Sequence, residues 1–229
     1  MSSPTPPPPS EPAAAGPEPG NLEYAVRTMA QTAVDNEREF GDLDAVAGDG
    51  DFGYSLARGF EIVIADWDSL DRSSPAEFLK KVALIISKRV GGTSGPLWGT
   101  AFLRAAGAVK DRDELTGADA VAMLRAAAEG IKVRGKSDVG DKTLLDALVP
   151  MTDALEGALQ DAGRSGDPAG LAALAASSAR AAADATTPMQ AMRGRQSYTG
   201  ERSIGSPDPG AVAVAVMAER IAADWPAGR

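Results

Sequence analysis

Three aspartates in one short segment carry the clearest chemistry in this chain. Residues 43–53 read LDAVAGDGDFG and place Asp44, Asp49 and Asp51 five and two positions apart. Gly50 separates the last two and permits a tight bend that turns both carboxylates to one side, with Asp44 reaching in from the preceding turn. No lysine or arginine adjoins them in sequence. Carboxylates gathered in this way repel one another unless a cation sits among them. A Mg²⁺ ion held by few protein carboxylates keeps coordination positions for phosphate oxygens and water. The bland alternative is that Asp49 or Asp51 caps a helix beginning near Gly53. An EF-hand is disfavoured, because a twelve-residue loop from Asp49 ends on Phe60 where a glutamate is needed.

Three further segments are rich in glycine and polar residues. Residues 91–95 read GGTSG ahead of Pro96. A helix opening there presents unpaired N–H groups and a positive dipole end, and Thr93 and Ser94 add hydroxyl donors, which together suit a phosphate. A flexible turn has the same composition. Residues 135–143 read GKSDVGDKT and fail the P-loop pattern, since Asp141 precedes Lys142 and Thr143 and no strand is expected before them. Residues 193–210 read RGRQSYTGERSIGSPDPG. Arg193, Arg195 and Arg202 supply positive charge that suits phosphate, or else decorate a solvated loop. Asp208 is the expected N-cap of a last helix, with Pro209 at its first position and Gly210 after it.

The composition narrows the chemistry. The chain has no cysteine and no histidine, which excludes disulfides, thiolate or imidazole metal ligands and a Ser-His-Asp triad. Oxygen ligands remain, and these point to Mg²⁺, Ca²⁺ or Mn²⁺. A net charge of -9 argues against nucleic acid and against an anionic membrane as partners. No apolar run is long enough to span a bilayer and no signal peptide is evident, so a cytoplasmic location is expected.

Helices must position these loops. Aromatics are only 5 % of residues and alanine is abundant, a composition that favours closely packed helices over sheets. Residues 1–20 hold half of the 16 prolines and are expected to be a disordered tail before one helical domain over 21–229. Apolar spacing predicts eight helices: 22–40, 53–68, one opening at Pro75, then 97–110, 117–134, 143–162, 168–185 and 209–223. In the last, Val212, Val214 and Val216 alternate as in a strand, but the intervening alanines favour helix. The polar loops recur at intervals, so an up-and-down arrangement would gather them at one end.

Read together, LDAVAGDGDFG, GGTSGPLWGTAFLRAA, GKSDVGDKTLLDALVP and MQAMRGRQSYTGERSIGSPDPGA resemble, in order and spacing, the motifs of the DhaL family, the nucleotide-binding domain or subunit of dihydroxyacetone kinases. The resemblance runs through nearly all of 22–223. It implies an all-α, eight-helix antiparallel up-and-down barrel with a nucleotide site at one rim. It implies Asp44, Asp49 and Asp51 as ligands of Mg²⁺ (two ions), with ADP or ATP as the bound nucleotide. Phe52, Gly53, Tyr54 and Ser55 would lie near the phosphates, as would Thr93 and Ser94. Gly135, Thr143 and Leu144 would lie near the base or ribose, and Arg195, Asp208, Pro209 and Gly210 would make further contacts. No residue is assigned as catalytic.

Two departures stand out. The family usually has histidine where this chain has Phe52, and His-Gln where it has Ser206 and Pro207. Family kinases hold their ketone through a histidine on a separate DhaK domain or subunit. The implied partner is therefore a DhaK-type subunit, with either exchanging ATP or a phosphotransferase-system protein as phosphoryl source. The substrate is dihydroxyacetone or another short ketose such as erythrulose. Two alternatives are an ADP-sensing regulatory subunit without turnover and, more weakly, the ATP-binding domain of a fatty-acid kinase.

Overall fold

The computed structural model describes residues 20–161, 167–223 and Trp225. Helices dominate them: α1 Asn21–Asp35, α2 Glu37–Asp44, α3 Phe52–Ala65, α4 Pro75–Arg89, α5 Ser94–Ala108, α6 Gly117–Gly135, α7 Leu145–Asp161, α8 Pro168–Ala185 and α9 Pro209–Ala223. Two 3₁₀ segments, Trp67–Ser69 and Arg195–Ser203, lie between them. Apart from Gly20, the tail expected over 1–20 falls outside the described residues.

The single helix expected over 22–40 is two helices. Asn36 leaves helical geometry (φ -105°, ψ 17°), and its Nδ2 donates to the Thr32 carbonyl at 2.8 Å. A short amide side chain competes with the backbone for such carbonyls and breaks the helix there. The apolar spacing nevertheless carries across the break, since Phe40 on α2 is fully buried. The stretch with alternating valines is helix throughout. Ala211, Val212, Ala213, Val214 and Ala215 of α9 are all buried, so the helix is covered nearly all round and shows no polar stripe.

The helices form a closed ring. α1 packs on α3, each long helix from α3 onward packs on the next, and α9 returns to α1. Eight helices are staves of this barrel, and α2 is a short addition against α3 and α9. Phe60, Phe78, Leu56, Ile86, Ile131 and Leu145 fill the interior with no exposure. Burying each such side chain contributes about 1.5–3 kcal/mol. Alanines such as Ala179 and Ala183 on α8 face Ala211 and Ala215 on α9 in the same core and let these two helices approach closely. Tyr24 near the start of α1 donates its hydroxyl to the Ile221 carbonyl near the end of α9 at 3.0 Å, which ties the ring shut.

Successive staves run antiparallel, joined by short connections except for 186–208 between α8 and α9. α3, α5, α7 and α9 therefore begin at one rim, and α4, α6 and α8 begin at the other. None of the described helices is long and apolar enough to cross a membrane.

Candidate functional site

A cleft of about 470 Å³ opens at the rim where α3, α5, α7 and α9 begin. It is lined from all four polar loops, by residues that include Asp44, Asp49, Asp51, Thr93, Ser94 and Arg195.

The acidic side is built by α2 and the loop after it. Asp44 closes α2 and is buried, Asp51 is half-buried and Asp49 is exposed. One carboxylate oxygen from each lies within 4.8 Å of the others. Two glycines permit this. Gly50 sits at φ +76° and makes the bend between Asp49 and Asp51. A Cβ on Gly48 would stand 2.2 Å from Asp44 Oδ1, so only glycine leaves room for that carboxylate. Burial, together with the neighbouring Asp44 carboxylate, pushes the Asp51 carboxyl above its ordinary range. Arg195 answers this negative charge. Its Nη1 donates to Asp51 Oδ2 at 2.7 Å and also pairs with Asp49.

Neither Asp49 nor Asp51 caps α3. Asp51 stands at the N-cap position but its side chain makes no capping bond. Instead the Phe52 N–H points to Asp44 Oδ2 at 3.4 Å. Thr93, ahead of α5, also makes no side-chain cap bond. Other helix starts differ. Ser74 caps α4, Thr116 and Asp119 form a reciprocal capping box on α6, and Asp167 caps α8. First-turn N–H groups that the N-cap side chain leaves free, at a positive dipole end, suit an anion. The starts of α3 and α5 border the acidic cluster, so the cleft is arranged for an anion and a cation side by side.

The far side of the cleft is held by α7 and α9. Asp208 Oδ2 accepts the Ala211 N–H at 2.8 Å, which is the expected N-cap of α9. Burial pushes its carboxyl up to about 7, with Asp146 adding to the rise and the Ala211 N–H and Lys142 opposing it. Asp146 accepts the N–H groups of Gly140 and Thr143, both at 2.6 Å. Lys142 is not a P-loop lysine. The residue is 1 % exposed, and its ammonium donates to backbone carbonyls of the segment before α9.

Of the residues singled out in the sequence, Phe52, Gly135, Thr143, Leu144, Asp208, Pro209 and Gly210 line the cleft with the six named above. Gly53, Tyr54 and Ser55 do not. Gly53 packs on the α2 backbone, where a Cβ would meet the Glu37 carbonyl at 1.9 Å. Tyr54 is exposed, with the Arg58 guanidinium 5.1 Å over its ring, and Ser55 is buried beside Gly91. Arg202 also lies away from the cleft, whereas Arg193 lines it and donates to the Lys136 carbonyl at 2.6 Å.

The cleft also takes in residues not singled out in the sequence: Leu97, Trp98, Arg134, Ser137 and Gln196. The buried Gln196 Oε1 has no hydrogen-bond partner among the described residues. Its neighbours in sequence gave no sign of this, because a lone glutamine in a polar loop has no pattern.

A family model described as the DAK2 domain matches residues 46–223. The chain is 41 % identical over 180 residues to the PEP-dependent dihydroxyacetone kinase ADP-binding subunit DhaL of Escherichia coli (strain K12), covering 79 % of this chain and 84 % of that protein. It is 38 % identical over 204 residues to L-erythrulose 1-kinase of Mycolicibacterium smegmatis, covering 86 % of this chain but 34 % of that protein. In fold it is similar to the crystal structure of the dihydroxyacetone kinase from C. freundii in complex with AMP-PNP and Mg²⁺, with TM-score 0.65 and 21 % identity over 97 % of this chain and 38 % of that one. The chain thus spans most of a DhaL subunit and about a third of the larger kinases.

Proposed function

This chain belongs to the DAK2 domain family, and from that premise we propose that it is the nucleotide-binding, DhaL-type subunit of a dihydroxyacetone-type kinase. The observation that carries the reading is the pairing at one rim of three clustered carboxylates with the starts of α3 and α5, whose N-cap residues Asp51 and Thr93 make no side-chain cap bond. A polyphosphate chelated to a divalent cation satisfies both at once. The cleft volume falls in the range of small-molecule sites.

The donor set fits Mg²⁺. Asp44, Asp49 and Asp51 offer only oxygens, gathered within 4.8 Å, and the glycine at 48 lets the Asp44 carboxylate turn inward. Mg²⁺ bound there supplies charge neutralisation and alignment to the phosphate oxygens. The remaining work falls to the chain. Backbone N–H groups at the starts of α3 and α5 receive phosphate oxygens, and Thr93 and Ser94 add hydroxyl donors. The Arg195 guanidinium, already at the edge of the acidic cluster, neutralises charge that shifts onto the distal phosphates. Leu97, Trp98, Gly135, Thr143 and Leu144 form the less polar end, where the base and ribose fit. Phosphoryl transfer asks for positioning and electrostatics rather than covalent chemistry by the protein, and this site is composed accordingly.

The ketose is held by a DhaK-type partner in the cytoplasm. The chain has no histidine to bind a ketone, and the similar DhaL protein of Escherichia coli is an ADP-binding subunit. The test is to mix the purified chain with a DhaK-type partner, Mg-ATP and a panel containing dihydroxyacetone and erythrulose. Phosphorylated ketose is the expected product. Tight ADP binding with no turnover alongside any partner or donor would replace the kinase reading with that of an ADP-sensing regulator.

A further inference from the structure

Arg195 lies in a long connection without α-helix, residues 186–208, and something must hold that connection over the cleft. Its only regular part is the 3₁₀ segment Arg195–Ser203, broken at Gly200. A segment of this kind opens readily unless it is anchored. Its two legs are joined at three points: the Gly205 N–H donates to the Thr187 carbonyl at 2.9 Å, the Ala191 N–H to Ser203 Oγ at 2.9 Å and the Asp208 N–H to Thr186 Oγ1 at 2.8 Å. The Met192 N–H ties the outgoing leg to the Asp141 carbonyl at 3.0 Å.

Lys142 sits between the legs. Its ammonium donates to the carbonyls of Met189 at 3.0 Å, of Ser206 at 2.7 Å and of Ser203. The first belongs to the outgoing leg and the other two to the returning leg. All three ammonium donors are thereby committed, leaving none for a phosphate. No carboxylate lies in ion-pair contact with Lys142 among the described residues, Asp208 acting on it only from farther off, although a buried cation is costly without a close partner. The residue also holds a left-handed backbone, φ +60°, which a side chain with a Cβ adopts only where its surroundings require it. A buried charge and a strained backbone at one residue are both accounted for if the clasp itself is the purpose.

We propose that Lys142 is a positioning residue: by fixing both legs of the 186–208 connection it aims the Arg195 guanidinium at the distal phosphates of the bound nucleotide. The proposal rests on the nucleotide reading above. It separates Lys142 from the phosphate-binding lysine of a P-loop, which its place in the run GDKT imitates. Arg195 stands beside Asp49 and Asp51, at the metal end of the cleft, so the effect belongs to the distal phosphates and not to the base.

The test uses the full chain with Lys142→Met, Lys142→Gln and Lys142→Arg, each alone and with Arg195→Gln. Binding of ADP and of AMP, both with Mg²⁺, is measured by calorimetry, and amide hydrogen exchange is followed in the ligand-free proteins. Loss of a charge-assisted contact weakens ADP binding roughly 10- to 100-fold in the Met and Gln variants, and AMP binding by less than about threefold. Lys142→Arg, which keeps charge and donors, restores part of the ADP preference. Adding Arg195→Gln to Lys142→Met costs little more than either change alone. Amides of 187–206 exchange faster, while those of α3 to α6 keep their protection. Equal losses for ADP and AMP, or additive effects with Arg195→Gln, overturn the aiming role. Unchanged exchange in 187–206 overturns the clasp itself, and that arm requires no nucleotide. Failure of the unmodified chain to bind ADP refutes the nucleotide reading, and the aiming role with it, while leaving the clasp to be judged by exchange.

Discussion

Asp49 and Asp51 meet one guanidinium, and Asp44 turns its carboxylate toward both through the space left by Gly48. Each oxygen in the cluster is therefore placed by a residue that cannot be exchanged freely. Asp49→Ala is expected to abolish Mg²⁺-dependent ADP binding and to leave helix content unchanged, since Asp49 caps nothing and is exposed. Calorimetry and circular dichroism check the two halves, and wild-type affinity in the variant would remove the metal assignment. Asp208 gives a second residue-level expectation. Its carboxyl is raised from 3.8 to about 7, so the native state holds a proton that the unfolded chain has released. Its contribution to stability is then full below pH 4 and declines as pH rises toward 7 and beyond. Asp208→Asn keeps an oxygen for the Ala211 N–H and should flatten that part of the stability–pH curve, measured by urea denaturation from pH 4 to 8. Phe52, which departs from the family's histidine, turns its ring onto Phe40 at a centroid distance of 6.1 Å. What survives at that position is the backbone N–H, and that group does not depend on side-chain identity.

At the scale of elements, the starts of α3 and α5 were legible as helix openings, and the aspartates before α3 were legible as ligands or caps. Nothing in the sequence separated those two roles. The distinction lies in which acceptor reaches which N–H, and Asp44, eight residues upstream, reaches the Phe52 N–H that Asp51 does not. The long stretch 22–40 read as one helix because its apolar spacing survives the break at Asn36. Periodicity registers faces, and a break that preserves the face is invisible to it. Charge type marked Arg195 as a candidate phosphate contact, but its contact with Asp51, 144 residues away in sequence, was not legible. Gly53 was expected near phosphate, and its lack of a side chain also serves the contact of α3 with α2. Gly53→Ala would drive a Cβ onto the Glu37 carbonyl, a backbone atom that cannot step aside. The expected loss is about 3 kcal/mol, read as a lowered denaturation midpoint. A loss below about 0.5 kcal/mol would mean that α2 is less firmly seated than its contacts indicate.

At the scale of the whole molecule, the site is a property of direction. Antiparallel staves bring α3, α5, α7 and α9 to begin at the same rim, and the side chains that cap α4, α6 and α8 are all at the other. The bound species completes one end of the barrel. Mg²⁺ and ADP together should raise the midpoint of thermal unfolding, with a stabilisation of about 2.7 kcal/mol at a ligand concentration one hundred times Kd. Either component alone should do much less. Differential scanning fluorimetry with and without a chelator distinguishes these cases, and an equal shift from ADP without metal would contradict the joint site.

The bond from Tyr24 to the Ile221 carbonyl is a seam, and it lies at the end of the barrel away from the cleft. A seam can be sewn and another opened without reversing a single stave. Relinking α9 to α1 across it and cutting the chain in the connection 109–116 would yield a rearranged gene order with every helix still pointing the same way. Such a permutant should retain Mg-ADP affinity, whereas a cut in 136–144, among residues that line the cleft, should destroy it.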